Sequence, residues 1–316
     1  MFNKISLKSL GILFGILLLI VVAFMIYDAS HGERSFRKNL VSIDTSKVTE
    51  INIYPRSINH RKVKIYKDGR EWKVELSKNQ SAMVPGNKIQ DLFSNLLEIK
   101  PTGVAASGEE FWKNYQVDTS GTRINVYQGN DKVLDMMIGK FAFERPRTML
   151  SYVRVNGDDN VYITEGFLSY TFNHDANYFR NHYLINSEYT DWSKLTFTYP
   201  ADSSFTLVKE NNKWFLNGRP SDSAETVDYL RSVSQKTNSN FIDNPSESLL
   251  SRAECTLTIE SKKMRPIIVS AYESPSQVVV NSSQNSGSFF DGKKNNFWHS
   301  IFVGKEHFFK KKKHKK

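Results

Sequence analysis

The stretch Val63-Lys-Ile-Tyr-Lys-Asp-Gly-Arg-Glu-Trp-Lys-Val74 decides the fold of this chain. Apolar and polar residues alternate on both sides of Asp68-Gly69, as in two half-buried strands joined by a tight turn. The stretch therefore predicts a β-hairpin. The alternating run Val48-Thr-Glu-Ile-Asn-Ile53 before it predicts another strand. After it, residues 85–97 carry apolar side chains at helical spacing and predict a helix, with Asn87 as a possible N-cap.

The same order of elements returns downstream. Residues 194–199 and 205–209 alternate like strands, and Glu210-Asn-Asn-Lys213 predicts the turn that joins the second of them to a strand containing Trp214. Residues 220–233 follow with helical spacing and begin with a proline. Trp72 and Trp214 hold the same place in the two series. This indicates an internal repeat, with chance similarity between two β-rich halves as the alternative.

The second parts of the two halves also correspond. A meander of short strands is predicted in the first half, at 123–127, 133–138, 152–155 and 161–163. The second half repeats it more faintly, at 255–259, 266–269 and 277–280, and 289–302 would supply a last strand and a short helix. We therefore expect an α+β protein built from two tandem units of antiparallel sheet, each with a packed helix. The first unit is expected over residues 47–185 and the second over residues 186–309.

The N-terminal region has a different character. Residues 10–27 read LGILFGILLLIVVAFMIY, a run without a charge that would form a helix of about 27 Å, close to the ~30 Å hydrocarbon core of a bilayer. We expect residues 1–30 to be a single transmembrane anchor with a short cytoplasmic tail, and 31–46 to be a linker. The alternative is a cleaved signal peptide, although the end of the run lacks the paired small residues of a cleavage site.

Charge suggests the orientation of the anchor. Lys4 and Lys8 favour a cytoplasmic N-terminus, whereas Arg34, Arg37 and Lys38 argue weakly for the reverse. We expect the main domain to be extracytoplasmic (periplasmic), held at a bacterial cytoplasmic membrane. A single cysteine excludes an intrachain disulfide, which a domain of this size does not need.

The chain carries a formal charge of +10, much of it near its end. Residues 310–316 hold six lysines and are expected to form a solvated, disordered tail. The alternative is a weak attraction of this tail to anionic surfaces. Basic and aromatic residues also mix in the early strands, but an alternating strand exposes one polar face in any case, and we expect no nucleic-acid partner. That mixture comprises Tyr54, Arg56, His60, Arg61, Lys62 and Lys64.

No sequence motif of a known catalytic, cofactor or metal site is present. Cys255 lies in an alternating run and is expected to be a core residue. His174, Asp175 and His182 could hold a metal only with another ligand, so a structural role is expected. Glu109 and Glu110 are neighbours, as in a solvated surface. The sequence thus predicts no catalytic, cofactor-binding or metal residue, no cofactor and no enzyme activity.

The motifs together resemble the bacterial membrane-tethered family called domain of unknown function 4340. The resemblance covers about residues 45–245 and rests on the two early motifs already quoted, and on three later ones. These are Lys113-Asn-Tyr-Gln-Val117, Val153-Arg-Val-Asn-Gly-Asp-Asp-Asn-Val-Tyr-Ile163 and Phe179-Arg-Asn-His-Tyr-Leu184. No functional residues are established for the family, so it implies none here.

The family's members are often encoded beside ABC-type transporters related to gliding-motility transport. The resemblance therefore implies an extracytoplasmic accessory or interaction protein that is associated with an ABC-type transport system of the envelope. Its partners would be the cytoplasmic membrane and a membrane transporter or other envelope protein. The alternative is an envelope enzyme that acts on glycan or peptide, with a site assembled from distant residues.

Overall fold

A computed structural model describes residues 14–23, 25, 37, 39–77, 79–144 and 147–309. Residues 14–23 and 25 are helical, and their side chains are exposed. Within the described ranges, no helix is both long and apolar enough to cross a membrane. The rest of the predicted anchor, residues 31–36 and 38 of the predicted linker, and the predicted tail at 310–316 lie outside the described residues.

The first sheet has nine strands and is antiparallel in every strand pair for which a register is defined. Its strand order is β4-β3-β2-β1-β6-β7-β8-β9-β5. The strands are β1 (Glu50–Tyr54), β2 (Val63–Asp68), β3 (Glu71–Ser77), β4 (Gln80–Val84), β5 (Pro101–Ser107), β6 (Thr122–Gln128), β7 (Asp131–Glu144), β8 (Thr148–Val155) and β9 (Asn160–Glu165).

The second sheet has eight antiparallel strands in the order β13-β12-β11-β10-β14-β15-β16-β17. Taken in chain order, its strands follow the same path as β1 to β4 and β6 to β9, which confirms two similar sheets in an α+β fold. The strands are β10 (Trp192–Thr198), β11 (Phe205–Glu210), β12 (Lys213–Leu216), β13 (Arg219–Pro220), β14 (Cys255–Ser261), β15 (Ile267–Glu273), β16 (Val278–Ser282) and β17 (Phe289–Asp291).

One helix of twelve residues follows the first four strands of each sheet. The starts of both differ from the sequence-based prediction. Gly86 is the first residue of the earlier helix, so Asn87 lies inside it and is not its cap. Pro220 belongs to β13, and Asp222 caps the later helix by accepting from two backbone N–H groups. The helices are α1 (Gly86–Leu97), α2 (Trp112–Tyr115), α3 (Leu168–Phe172), α4 (Ala176–Phe179), α5 (Ser223–Ser234) and α6 (Glu247–Leu250).

The two predicted hairpins have the same register. Lys67 pairs with Trp72 in the first, and Lys209 pairs with Trp214 in the second. The two turns obtain the positive φ angles of a tight hairpin from different residues. Gly69 supplies a positive φ of 62° in the first, whereas Asn211 and the next asparagine supply φ values of 49° and 62° in the second. The two tryptophans therefore occupy equivalent places.

The core of the second sheet is rich in aromatic rings. Phe197 of β10 stacks on Phe205 of β11 at 4.4 Å between ring centroids, and Tyr229 of α5 packs beside them. Phe308 is completely buried in the same cluster, and its carbonyl accepts a hydrogen bond from the backbone N–H of Asp222. Phe308 is thus a core residue and does not belong to the basic tail that follows it in sequence.

By contact density the chain divides into two compact units. One comprises residues up to Val48 together with Phe93–Asn173, and the other comprises Thr49–Leu92 together with residues from His174 onward. The predicted boundary between residues 185 and 186 is not tested by this division and stays a prediction. The candidate site described next lies entirely within the first of these units.

Candidate functional site

Strands β7 and β8 extend beyond their neighbours as a two-stranded ribbon. The pairing of β6 with β7 stops at Thr122 and Ile138, and the pairing of β8 with β9 stops at Leu150 and Glu165. Residues 141–144 of β7 pair with residues 148–151 of β8 past the end of β6, and the last two pairs, Phe143 with Met149 and Glu144 with Thr148, also lie past the end of the β8–β9 pairing. In the described part of the sheet, the end of the β7–β8 hairpin therefore stands clear of the ladder, and we call it the ribbon.

The ribbon carries a contiguous apolar surface. Phe143 lies opposite Met149 in the register, so both point to the same face as Phe141. The Phe141 ring contacts the rings of Phe143 at 5.6 Å and Phe167 at 4.7 Å, and Phe167 stacks on Tyr170 at 6.4 Å. Phe143 and Tyr170 are each 67% exposed, and the other three are also exposed. These five residues form a patch that we call the aromatic platform.

A solvent-facing patch of this kind needs an explanation. Single exposed apolar residues are common, but contiguous clusters mark interaction surfaces. The platform could not be predicted from the sequence, because alternating phenylalanines on a strand ordinarily indicate a buried face. The available signal was the flanking Arg145-Pro146-Arg147, since a proline between two arginines is unusual beside a buried strand pair.

A close backbone contact fixes the base of the ribbon. Strand β7 has a bulge between Ile138 and Phe141. Gly139 lies in this bulge, and a Cβ placed on it would approach the carbonyl oxygen of Tyr115 to 2.1 Å and the Val117 side chain to 2.8 Å. Only glycine permits this approach. The motif at residues 113–117 therefore packs directly on the bulge from which the ribbon extends.

The same motif is held from the other side by an arginine. Arg154 of β8 is 8% exposed, and its Nε donates a 3.1 Å hydrogen bond to the carbonyl of Val117. Its guanidinium lies 3.8 Å from the centroid of the Trp112 ring, a stacked cation–π arrangement. Burial lowers the pKa of Arg154, but a guanidinium stays charged over the whole physiological range. Val117 itself is fully buried with Met137 and Val161.

A carboxylate ties β6 to β7 below the ribbon. Asp135 accepts two hydrogen bonds from Arg123, at 2.8 and 2.6 Å, and one from Lys132 at 2.6 Å. Burial acts to raise the pKa of Asp135, but these charged donors outweigh it, and the pKa is lowered. The group is therefore ionised at neutral pH, and the network fixes the two strands on which the ribbon is built.

The chain enters this unit at the opposite end of the sheet. The carbonyl of Asp44 accepts a 3.0 Å hydrogen bond from Gln128, at the turn between β6 and β7. The backbone of Arg37 is hydrogen-bonded to the hydroxyl of Tyr162, which also donates to Asp158 in the turn between β8 and β9. Both turns lie at the end of the sheet away from the ribbon.

The histidine cluster considered from the sequence has structural contacts. His174 stacks on Tyr178 at 3.8 Å between ring centroids. Asp175 caps α4 by accepting from the N–H of Tyr178. The Nε2 of His182 lies 2.7 Å from the carbonyl oxygen of Asn177, and burial lowers the pKa of this histidine. Over the described ranges, no group of three or more histidine, cysteine, aspartate or glutamate residues could hold a metal ion.

The other residues considered from the sequence are also dispersed. Cys255 is buried in the second core, and burial raises its pKa to about 11, so its thiol is protonated at neutral pH. Glu109 and Glu110 lie in a short exposed turn before α2. In the basic strands, Lys64 pairs with Glu50 at 3.2 Å. The structure thus does not gather the basic residues into a uniformly positive groove.

A second polar feature lies in the segment that links the two sheets. Arg180 is 1% exposed and its Nη1 donates to Asp243 at 2.5 Å and to Asn177 at 3.1 Å. The guanidinium lies 3.7 Å from the centroid of the Phe241 ring, and among the described residues its Nε has no hydrogen-bond partner. This arrangement fastens the linking segment to the loop after α5.

Two clefts occur in the second unit. One, of about 350 Å³, lies beside Trp214 and is also lined by Lys209 and Lys213. The other, of about 300 Å³, is lined by His182, Lys294 and a group of asparagine and serine side chains. Neither of these two clefts in the described part of the chain is lined by an aspartate or a glutamate, so neither offers a pair of carboxylates for acid–base chemistry.

The ribbon, its base and the linking segment all lie inside the region that matches a known family. The chain has no significant match among curated proteins or among solved structures. The family model described as "Domain of unknown function (DUF4340)" matches residues 75–253, as the sequence motifs had predicted. This match covers more than half of the chain, and the chain therefore belongs to the DUF4340 family.

Proposed function

We propose that this protein is a non-enzymatic accessory or interaction protein, anchored in the bacterial cytoplasmic membrane by its N-terminal apolar run with its main domain outside the cytoplasm. In this proposal the domain docks on an envelope partner, and the partner belongs to an ABC-type transport system. The association with such a system rests on the resemblance of the motifs to the family.

The observation that carries the membrane anchor is the exposed apolar helical segment at residues 14–23. Every residue in it is apolar or glycine, and every side chain is exposed, with Phe14 and Leu19 each at 68%. A helix that is apolar on all sides needs a nonpolar environment around its whole circumference. Because no described part of the protein covers this one, we propose that lipid does, as part of the longer apolar run at residues 10–27.

The docking role is supported by the aromatic platform. Five exposed apolar side chains, three on the ribbon and two in and just before α3, contribute little to a core, whereas an interaction protein uses such a surface. Phenylalanine, tyrosine and methionine are the residue types that protein interfaces favour at their centres.

The anchor and its orientation are tested on the full chain in native membranes. We expect the protein to stay in the membrane pellet after an alkaline carbonate wash, and its mass to correspond to an uncleaved N-terminus. A cysteine placed in the exposed hairpin turn, Lys213→Cys, should react with a bulky maleimide in right-side-out spheroplasts. Cys255 is buried and gives the unlabelled background.

Two results would refute this proposal. Release of the protein by the alkaline wash would show that no transmembrane helix anchors it. Labelling of Lys213→Cys in inverted vesicles but not in spheroplasts would place the domain in the cytoplasm.

A further inference from the structure

We infer that the cleft of about 300 Å³ in the second unit binds the doubly charged phosphate group of a small ligand, held by Lys236 and Lys294. The cleft is lined by His182 of the linking segment, by residues 237–240 of the loop after α5 and by the segment that follows β17. This inference goes beyond the proposed function, because it depends neither on the anchor nor on a protein partner.

The first step is the charge of the cleft. Lys294 lines it directly, and the ammonium of Lys236 lies 5.7 Å from the ring centroid of Phe297, which also lines it. Among the described residues, neither lysine side chain has an ion-pair partner or a hydrogen-bond acceptor. Lys194 and Lys263 of the same unit, by contrast, each pair with a carboxylate. The cleft therefore holds two positive charges that the described chain leaves unpaired.

The second step is the burial of one of these charges. Lys236 is half-buried, and burial lowers its pKa. A charge that is partly removed from water is costly unless a counter-charge accompanies it. The described carboxylates of neighbouring segments do not line the cleft. Asp291 accepts hydrogen bonds from two backbone N–H groups, and Asp243 accepts one from Arg180. A bound anion would supply the counter-charge that Lys236 lacks.

The third step is the rigidity of the polar lining. Asn238 is 8% exposed, and its Oδ1 accepts from the backbone N–H and the side-chain amide of Asn240, at 2.8 and 2.9 Å. Its own amide donates to the carbonyl of Asp291 at 3.3 Å, and its backbone N–H donates to the carbonyl of His182 at 2.9 Å. These bonds hold the lining in place before a ligand arrives, which lowers the entropy cost of binding.

The fourth step is the class of anion. A phosphate monoester carries about −1.5 to −2 charges at pH 7 and three strong acceptor oxygens. Two ammonium groups match this charge, and the hydroxyls of Thr237 and Ser239 in the lining can donate to the oxygens. The volume lies at the low end of the range of about 300–1,000 Å³ for small-molecule sites, so the ligand is small. A phosphodiester, as in a lipid headgroup, has only one charge to offer two lysines.

The test measures binding of inorganic phosphate and of glycerol 3-phosphate to the purified full chain by calorimetry, at an ionic strength held constant with chloride. Lys236→Gln and Lys294→Gln should each weaken binding about tenfold, which corresponds to about 1.4 kcal/mol. Lys294→Arg keeps the charge and should retain most of the affinity. Lys213→Gln is the matched control, because Lys213 lines the other cleft and faces Glu210 across its hairpin. It should leave the affinity nearly unchanged.

A stability measurement separates a binding role of Lys236 from a structural one. Removal of a half-buried charge that has no partner should not destabilise the fold. Without phosphate, Lys236→Gln should therefore leave the midpoint of urea unfolding unchanged or raise it. Phosphate should raise the midpoint of the unchanged chain more than that of this variant.

Three results would overturn the inference. One is the absence of binding at millimolar phosphate or glycerol 3-phosphate. Another is an equal loss of affinity in Lys213→Gln and Lys294→Gln, which would show only a general attraction to surface charge. The third is tighter binding of the phosphodiester glycerophosphoglycerol than of glycerol 3-phosphate, which would contradict a doubly charged ligand. None of these measurements involves the membrane, so a failed phosphate site is distinguished from a failed anchor.

Discussion

The two sheets share one order of strands but differ in the length of one hairpin. The hairpins that contain Trp72 and Trp214 have matching registers, and each sheet adds a meander of four further strands beside its first strand. In the second sheet, β15 has seven residues and its partner β16 follows a short turn. In the first, the equivalent β7 has fourteen residues and projects as the ribbon.

This difference separates the features that both sheets share from a surface that only the first sheet has. The preserved part is the alternation of buried apolar residues along β1 to β3 and β10 to β12, which any copy needs for a core. The surface that only the first sheet has contributes little to folding, because its side chains stay exposed. An elaboration of one copy that costs solubility and contributes no core is expected to serve binding.

The largest expected effect compares the two equivalent tryptophans. Trp214 is 8% exposed within the second core, whereas Trp72 is only partly buried. Trp214→Ala should lower the free energy of unfolding by about 3–5 kcal/mol, and Trp72→Ala by at least about 1 kcal/mol less, since less packing is lost. Urea unfolding of the purified full chain, followed by circular dichroism, measures both. Equal losses would mean that the two places differ less in packing than their exposure indicates.

A smaller effect is expected at the base of the ribbon. Gly139→Ala pushes a methyl group against the carbonyl of Tyr115 and should cost about 1–3 kcal/mol by overpacking. Gly103→Ala on β5 is the matched control, because a Cβ there meets no atom within 4 Å, and its effect should stay within about 0.5 kcal/mol. The same unfolding measurement applies. If Gly139→Ala is harmless, the ribbon's base is more adaptable than its close backbone contact implies.

The smallest effect concerns the carboxylate below the ribbon, and it depends on pH. The pKa of Asp135 is lowered in the folded state, so its stabilising contribution is present above the unfolded pKa of about 3.9 and is lost as pH falls through the folded value. Asp135→Asn should therefore cost about 1–2 kcal/mol at pH 7, discounted because Arg123 and Lys132 are partly exposed, and the cost should shrink below about pH 4.

The second sheet supplies the control for this experiment. Glu260 pairs with Lys194 at 2.9 Å, but both side chains are 41% exposed. Glu260→Gln should change stability by no more than about 0.5 kcal/mol at either pH. A pH-independent loss in Asp135→Asn would point to packing of the carboxyl group and would contradict the electrostatic explanation.

Local patterns were sufficient to predict much of the fold. The hairpins around Asp68-Gly69 and Asn211-Asn212 were predictable because turn chemistry and alternation agree there. The two long helices were predictable from their apolar spacing, but their starts were not. Pro220 is a helix-start signal by type, yet it completes a short edge strand, and the side chain of Asp222 then supplies the cap.

The elements that were missed have physical reasons. Strand β5 begins with Pro101 and consists mostly of small residues, so it lacks the alternating pattern, and it is stable only because it pairs with β9 at the edge of the sheet. The aromatic platform was missed because a sequence records which residues are apolar but not where the neighbouring strand stops. Its exposure follows from the ends of β6 and β9 and not from its own residues.

The order of the second sheet has a kinetic consequence. Strands β10 to β13 pair with near neighbours in sequence, and so do β14 to β17, but the two sets meet where β10 pairs with β14, some sixty residues later. Distant pairing is slow, so we expect this step to limit the rate at which the sheet forms. Until then Leu195 on one edge and Leu257 on the other stay open to wrong partners. A newly made chain of this protein is therefore most prone to aggregate through the open edges of β10 and β14, whose Leu195 and Leu257 are fully buried once the sheet has formed.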